Sequence, residues 1–158
     1  DLFFYRFFHQ SRVIAVNLRG TFLCSQAAAR MMAGRGAKAG GCIINIASTQ
    51  GLRGNRIGAN KSVAYNTSKG AVVNFTRVLA TEWGVHGITV NAIAPGLTLV
   101  EATEYVPQAR HEYYQQGRAI ARPQVPDDVT STVLFLLSHG SGYVTGQVLP
   151  VNGGFVMH

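Results

Sequence analysis

The chain has 158 residues, of which 14 are Lys or Arg and 7 are Asp or Glu, so its formal net charge is +7. The basic residues stand singly instead of in runs of like charge, which argues against nucleic acid as a partner. No apolar run approaches the roughly 20 residues of a membrane-spanning helix, and the first residues, DLFFYRFFHQSR, lack the features of a signal peptide. Cys24 and Cys42 have no metal-ligand partners at useful spacing, so we expect free thiols in a reducing cytoplasm.

The first half of the chain predicts a helix, a strand and a second helix. Residues 13–32 are rich in Ala, Leu and Met, and the β-branched run GGCIINIAS at 40–48 is typical of a buried parallel strand. A polar, glycine-rich loop covers 49–62. The second helix is expected to begin near Val63, to run to about residue 86 and to end at Gly87.

The second half of the chain continues this alternation. ITVNAIA, at 88–94, is another buried strand that stops at Pro95, and GQVLPVNGG near the end contains the last strand. Between them lie a segment of mixed character, 97–125, and a helix that begins at Pro126 with two aspartates where the helix dipole favours them. Alternating helices and strands predict an α/β protein with a parallel sheet, in one domain or part of one that spans 1–158.

Tyr65 and Lys69 stand one helical turn apart in the stretch SVAYNTSKGAVV. On a helical wheel they share a stripe with Val72, Thr76 and Leu79, so the pair lies at the polar end of a buried face, which Val78 and its neighbours widen. A cation one turn away from a phenol favours the deprotonated phenol. Tyr65 is therefore a candidate general acid/base, although Tyr/Lys pairs at this spacing also occur without any chemical role.

Two further polar residues are candidates for the same site. Ser48 ends the strand IINIAS, and open α/β sheets build their sites at the carboxyl ends of their strands. Asn17 lies within the first predicted helix, where asparagine is a mediocre helix former. An inward, functional orientation of Asn17 is open at this point, and the pattern does not require it.

Five segments of the chain carry a resemblance to a known family. VNLRGTF, GCIINIASTQG, YNTSK, ITVNAIAPG and YVTGQVLPVNGG occur in the order found in the short-chain dehydrogenase/reductase family, which the chain resembles from Val13 onward. The resemblance implies an NAD- or NADP-dependent oxidoreductase that interconverts a small-molecule secondary alcohol and a ketone. The last segment is similar to 3-oxoacyl-carrier-protein reductases and to 1-phenylethanol-type dehydrogenases, and it does not choose between them.

The resemblance also implies roles for individual residues. Tyr65 looks like the acid/base, Ser48 like the group that hydrogen-bonds the substrate oxygen, and Asn17 like the holder of a water molecule in a proton relay. Lys69 would bind the nicotinamide ribose and assist Tyr65. The residues implied in cofactor binding are Tyr65, Lys69, Pro95, Gly96, Leu97 and Thr98. Family members are usually tetramers, so a homo-oligomer, either a dimer or a tetramer, is expected.

The chain departs from the family pattern beside the predicted site. Ser48 and Tyr65 are farther apart than is usual, because the loop between them is longer, and Thr49 is the second choice for the role of Ser48. Val100 stands where the family usually has a threonine that contacts the nicotinamide. Thr98 or Thr103 could substitute for that threonine, as could backbone groups.

The glycine-rich phosphate loop of a dinucleotide-binding fold is not found in this sequence. The nearest candidate, Gly51, Gly54 and Gly58, follows a strand but opens no helix at once, so we interpret it as a loop beside the substrate. The sequence therefore predicts the second half of a Rossmann-like, doubly wound parallel sheet. The mononucleotide-binding half, about 100 residues, is expected to be missing.

Some alternatives stay open at this stage. The chain could be a catalytically silent fragment or self-associating module, because it lacks the phosphate loop. Arg53, Arg56 and Lys61 could meet an anionic substrate or simply form a solvated loop. The tyrosines of the segment that resembles the family's substrate lid could line the pocket or pack elsewhere; they are Tyr105, Tyr113 and Tyr114. The five histidines share no metal-like spacing, so no metal site is expected.

Overall fold

A computed structural model describes residues 7–36, 40–53 and 62–157 of the chain, with the side chains of 7–10 excepted. Several residues named above therefore lie outside the described part; they are Gly54, Arg56, Gly58 and Lys61. None of the described helices is both long enough and apolar enough to cross a membrane.

Three parallel strands form the sheet, in the order β1 (Gly41–Ile46), β2 (Ile88–Pro95) and β3 (Val148–Val151). Strand β2 lies in the centre and pairs along its whole length with β1 or β3, with Ile43 opposite Val90 at the β1 side. All three strands were predicted, and the α/β class with a parallel sheet is confirmed.

The first helical segment is longer than predicted and is interrupted. Helix α1 (Phe7–Ile14) continues into a π-helical turn, Ala15–Gly20, and then into helix α2 (Thr21–Ala33). The prediction began this helix at Val13 and gave no π turn. A π turn widens the backbone by one residue, and such turns are frequent at functional sites.

Helix α4 (Val63–Trp83) is the longest element, and it is preceded by the short helix α3 (Thr49–Leu52). A 3₁₀ turn, Gly84–His86, and Gly87 with a φ of 68° end it, as predicted. The predicted buried stripe is present at Val72, Thr76 and Leu79. Val78 is 47% exposed, so its assignment to the apolar face was wrong.

Two helices follow the central strand. The segment of mixed character contains a 3₁₀ turn, Glu101–Thr103, and helix α5 (Gln108–Gln116). Helix α6 (Pro126–Leu137) begins where predicted, and the carboxylate of Asp128 accepts a hydrogen bond from the Val125 amide at 2.9 Å, which caps the helix.

Successive strand side chains point to opposite sides of the sheet, so both faces carry apolar groups. Helices cover both faces. Ile43 packs with Leu79 of α4 on one face, and the Cys42 sulfur contacts the Leu136 carbonyl of α6 on the other. A second apolar cluster lies nearer the carboxyl ends of the strands and consists of Ala47, Val72, Val73, Ala92 and Ala94. This packing holds α4 firmly against the ends of β1 and β2.

A buried polar chain joins three elements through the core. The Ser25 hydroxyl donates to the Asn45 side-chain oxygen (3.3 Å), and the Asn45 amide nitrogen donates to the Thr76 hydroxyl (3.0 Å). Buried polar groups must find such partners. The chain therefore links α2, β1 and α4 in a defined register.

Candidate functional site

Ser48 lies just beyond the carboxyl end of β1 and caps helix α3. Its hydroxyl oxygen accepts a hydrogen bond from the Gln50 amide at 3.2 Å, and its extended backbone is that of an N-cap residue. The residue is buried and lines the central cleft of the protein. The cap fixes the hydroxyl while leaving its proton free to be donated toward the cleft.

Thr49, the second choice for this role, has a different environment. Its hydroxyl donates to the Pro95 carbonyl oxygen at 3.0 Å and accepts from the Asn152 amide at 3.4 Å. The side chain thus ties α3 to the end of β2 and to the turn after β3. Because the Thr49 hydroxyl already donates its proton to a backbone carbonyl, Ser48 is the better candidate for contact with a substrate.

Tyr65 and Lys69 lie on the first turns of α4, where the helix faces the end of β1. The Lys69 ammonium nitrogen donates to the Ile46 carbonyl at 2.7 Å and lies 5.9 Å from the centroid of the Tyr65 ring. Tyr65 is 38% exposed and lines the cleft. Burial of the ammonium group lowers the pKa of Lys69 below its ordinary value.

Asn17 points inward from the π turn toward α4. Its amide nitrogen donates to the Ser68 hydroxyl at 3.0 Å, and that hydroxyl donates to the Tyr65 carbonyl at 2.7 Å. The Thr21 hydroxyl in turn donates to the Asn17 carbonyl oxygen, at 2.7 Å, which the wider π turn leaves accessible. Asn17 is thereby coupled to the backbone that carries Tyr65 and Lys69.

The loop after β2 forms the opposite wall of the cleft. The Gly96 amide donates to the Val151 carbonyl at 3.0 Å, which continues the pairing of β2 with β3. The Thr98 hydroxyl donates to the Gly96 carbonyl (3.3 Å), and the Thr103 hydroxyl contacts the Thr98 carbonyl (2.7 Å). The two threonines that could replace the expected one at position 100 therefore both bond the backbone of this loop.

Two residues that sequence analysis did not select hold this loop in place. Arg118 is only 6% exposed and donates to the Leu97 carbonyl at 2.6 Å and to the Gln124 side-chain oxygen at 3.3 Å. The Gln124 amide nitrogen donates to the Val151 carbonyl (2.7 Å), while its backbone carbonyl accepts from the Leu99 amide (2.8 Å). Nothing in the sequence marks this arginine as different from a surface cation.

The side chains of Arg118 and Gln124 leave no room for a side chain at position 96. A Cβ atom there would lie 2.7 Å from the Gln124 side-chain oxygen and 3.2 Å from an Arg118 nitrogen. The burial of Arg118 lowers its pKa from the ordinary value of arginine. The structure thus places a buried cation, bonded mainly to carbonyl oxygens, directly behind the loop.

A single cleft of about 580 Å³ collects most of the predicted site residues. Those that line it are Ser48, Tyr65, Lys69, Pro95, Gly96, Leu97 and Thr98. Asn17 does not line it. It lines a neighbouring groove of about 480 Å³ along the free edge of β1, and Lys69 is common to both spaces.

The outer wall of the cleft comes from the segment that resembles a substrate lid. Tyr105 and Tyr114 line the cleft, and the Tyr114 hydroxyl is hydrogen-bonded to the Gln50 side chain. Tyr113 instead packs edge-on against Phe155, with ring centroids 5.7 Å apart. Arg53 lies over the same Phe155 ring, at 4.4 Å from its centroid. Of the three tyrosines, two are therefore at the cleft.

Comparisons with known proteins identify the family of the chain. A family model described as enoyl-(acyl carrier protein) reductase matches residues 9–156. The chain belongs to the short-chain dehydrogenase/reductase family. It is 40% identical over 146 residues to human (3R)-3-hydroxyacyl-CoA dehydrogenase, a match that covers 92% of this chain and 54% of that protein.

Solved structures of the family superpose closely on the chain. A 3-oxoacyl-[acyl-carrier protein] reductase from Brucella melitensis has a TM-score of 0.84 at 34% identity, covering 95% of this chain and 54% of that one. A gluconate 5-dehydrogenase from Burkholderia cenocepacia, in complex with NADP and tartrate, has a TM-score of 0.86 at 31% identity, covering 98% and 58%. The chain thus spans a little over half the length of these family members.

Proposed function

We propose that this chain carries the catalytic part of an NAD- or NADP-dependent oxidoreductase that interconverts a small-molecule secondary alcohol and a ketone. The observation that carries the proposal is the shared cleft of Ser48, Tyr65 and Lys69, which the loop from Pro95 to Thr98 closes on the other side. A hydroxyl donor, a phenol and a cation around one space are the groups that proton transfer to a carbonyl oxygen requires.

In the proposed reaction, Tyr65 and Ser48 act on the substrate oxygen. During oxidation the Tyr65 oxygen, as phenolate, takes the proton of the alcohol, and during reduction the phenol returns a proton to the nascent alkoxide. The Ser48 hydroxyl donates a hydrogen bond to the same oxygen, which its capped position allows. A bound nicotinamide ring would exchange the hydride with the substrate carbon.

Lys69 and Asn17 are proposed to support the proton transfer. Lys69 uses one of its three N–H donors on the Ile46 carbonyl, so two remain for the hydroxyl groups of a ribose. Asn17 and Lys69 line the same groove, in which a water molecule could connect them. This supports the relay that the family resemblance implies, with Lys69 as the link between the groove and the cleft.

The residues of the cleft wall fit a nicotinamide group. Leu97 and Gly96 line the cleft, and Gly96 lacks the Cβ that Gln124 would exclude. The neighbour from Burkholderia cenocepacia was solved with NADP, which supports the assignment of NAD or NADP to this chain.

We also propose that the protein is a homo-oligomer, a dimer or tetramer, and acts in the cytoplasm. Helix α2 exposes Phe22, Leu23 and Met31, and helix α6 exposes Leu134 and Leu137, which supports burial against another copy. The two free cysteines support a reducing compartment. Light scattering of the purified protein at several concentrations tests whether it is a dimer or tetramer.

The substitution Tyr65→Phe tests the proposed function. We expect turnover to fall about 10²- to 10⁴-fold, the usual contribution of a general acid/base, while titration with NADH or NADPH by nicotinamide fluorescence still shows binding. Tyr143→Phe, at a fully exposed tyrosine, is the matched control and should behave as wild type. An active Tyr65→Phe protein would refute the mechanism.

The same titration tests the alternative of a catalytically silent protein. A folded wild-type sample that binds neither NADH nor NADPH would favour that alternative. Intact-mass measurement of the protein purified from its source shows at the same time whether further residues precede Asp1, and hence which chain the titration should use.

A further inference from the structure

The charged side chains that line the cleft, among the described residues, are of one sign. Among the described residues that line it, the charged ones are Lys69 and Arg110, and both are cations. The sequence contains no Asp or Glu between Asp1 and Glu82, so none of the lining residues from Val13 to Lys69 is a carboxylate. Since Lys69 is proposed to bind the ribose, Arg110 is the cation that an uncharged substrate would leave without a partner.

The two cations differ in what they bind. Lys69 is held on the Ile46 carbonyl. Arg110 lies on α5, one turn before Tyr114 on the face that lines the cleft, and is half-buried. Its guanidinium makes no hydrogen bond or ion pair with the described part of the chain, whereas the nearby Glu112 is bonded to Gln108. Arg110 is thus the uncommitted cation of the cleft.

We infer that the substrate of the proposed reaction carries a carboxylate that Arg110 binds. The inference rests on the proposed function and names the class of substrate for that site, an oxo acid and the corresponding hydroxy acid. The planar guanidinium matches the two oxygens of a carboxylate with two parallel N–H donors. Since Lys69 is assigned to the ribose, the described lining leaves one guanidinium for the substrate, which matches the single charge of a carboxylate better than a phosphate dianion.

The remaining wall beside Arg110 fits the carbon chain of such a substrate. Val106 is buried there, and Val100 and Leu97 are further apolar residues that line the cleft. A short hydrocarbon segment would lie on this surface, with the reacting carbon near Tyr65 and the carboxylate at α5.

A matched set of ketones tests the inference in the full protein as it is produced by its source. The set consists of oxo acids with two to four carbons between the ketone and the carboxylate, the methyl ester of each acid, and a phosphate monoester of similar length. Wild type is expected to prefer an acid to its ester. In Arg110→Gln, we expect the acid-to-ester ratio of kcat/KM to fall about 10- to 100-fold, as for the loss of one charge-assisted hydrogen-bonding partner.

Two further variants make the result specific. Arg110→Lys keeps the charge but loses the two parallel N–H donors of the guanidinium, so it should retain part of the preference for acid over ester. Arg77→Gln, at an exposed arginine of α4, should leave the acid-to-ester ratio unchanged. An acid-to-ester ratio that Arg110→Gln does not alter would overturn the inference. A phosphate ester preferred over every acid would overturn the choice of carboxylate.

A binding measurement separates this inference from the proposed function. Thermal stabilisation of the protein by the best oxo acid, without turnover, should be seen in wild type and lost in Arg110→Gln. If this holds but no ketone is reduced, the proposed function fails and the carboxylate site stands. If ketones are reduced but the acids neither stabilise the protein nor are preferred, the proposed function stands and the carboxylate site fails.

Discussion

The ammonium nitrogen of Lys69 lies 2.7 Å from the carbonyl oxygen of Ile46, the last residue of β1. This contact ties α4 to the strand that leads into Ser48, two residues further on. Together with the packing of Val72 and Val73 against Ala47, this hydrogen bond fixes the phenol relative to the serine hydroxyl. Partial burial of the ammonium group lowers its pKa.

The stability of the protein should depend on pH through Lys69. Burial lowers the pKa of this ammonium group in the folded protein, so between the lowered value and about 10.5 the unfolded chain binds more protons. Stability should rise with pH across that window. Below the window, the unfavourable free energy of burying the charged ammonium group is fully present. In Lys69→Met this rise should disappear, whereas Arg30→Met, at an exposed cation, should keep it.

Urea unfolding at pH values from 7 to 10.5 measures this dependence. The stability of Lys69→Met relative to wild type should decrease as the pH rises, because only wild type gains. A difference that stays constant over the whole range would contradict the burial argument.

Gly51→Ala should push α3 away from α4. A Cβ at Gly51 would lie 2.5 Å from the backbone carbonyl carbon of Lys69 and 2.7 Å from the Gly70 nitrogen, and neither backbone can move by itself. We expect a loss of about 1–3 kcal/mol in the free energy of unfolding, as for other overpacked contacts. Turnover should fall as well, because Ser48 and Lys69 separate.

Gly84→Ala is the control for that substitution. Nothing lies within 4 Å of a Cβ at Gly84, whose φ is −56°, so the change should be neutral or stabilise by about 0.4–1 kcal/mol. Denaturant unfolding of the two variants gives the comparison. Equal effects of the two alanines would show that the contact with α4 is unimportant.

Arg118→Met should loosen the loop at Leu97. Removal of the guanidinium leaves the Leu97 carbonyl without its donor at 2.6 Å, and the loss of such a bond costs about 1–3 kcal/mol. We expect the Kd for NADH or NADPH to increase about tenfold, since this loop is proposed to hold the nicotinamide. The Kd of Arg118→Lys, whose ammonium group can reach one carbonyl, should lie between the values of wild type and Arg118→Met.

Equilibrium unfolding and nicotinamide fluorescence report the two effects of Arg118 separately. A variant that is less stable but binds the cofactor with wild-type affinity would limit Arg118 to a structural role.

Asn17→Ala should weaken the link between the π turn and α4. The Ser68 hydroxyl loses its donor and keeps only the Tyr65 carbonyl, which should cost about 0.5–1.5 kcal/mol. If Asn17 also takes part in a proton relay, kcat should fall while KM for the cofactor changes little. Asn74→Ala, at an exposed position of α4, is the control, and an unchanged kcat would restrict Asn17 to stability.

The sequence was sufficient to predict the main elements and most of the residues that share one cleft. The β-branched runs at β1 and β2 and the periodicity of α4 are local patterns, and these three elements appeared where expected. Helices α3 and α5 were missed, because they lie in segments that the sequence predicted as a loop and as mixed in character. The π turn at Asn17 was missed because it depends on contacts with α4, such as that with Ser68. The exposure of Val78 was missed because periodicity shows which residues share a face and not how far a neighbour covers it.

The importance of Arg118 and Gln124 was not predictable for a related reason. Their partners, Leu97 and Val151, are 21 and 27 positions away in the chain, respectively. Only the folded arrangement of β2 and β3 brings these carbonyls to the buried side chains. No residue type or spacing in the segment around them signals it.

The sequence by itself determined the α/β alternation and the turn of helix that separates Tyr65 from Lys69, because both follow from backbone periodicity. Tertiary structure alone decided that Lys69 donates to the carbonyl of Ile46 and that Thr49 donates to the carbonyl of Pro95. It also decided that Ser48 lines the cleft and that the Arg110 guanidinium has no partner among the described residues. Periodicity acts over a few residues, whereas the partner of a polar side chain is whatever distant group the packing brings within about 3 Å.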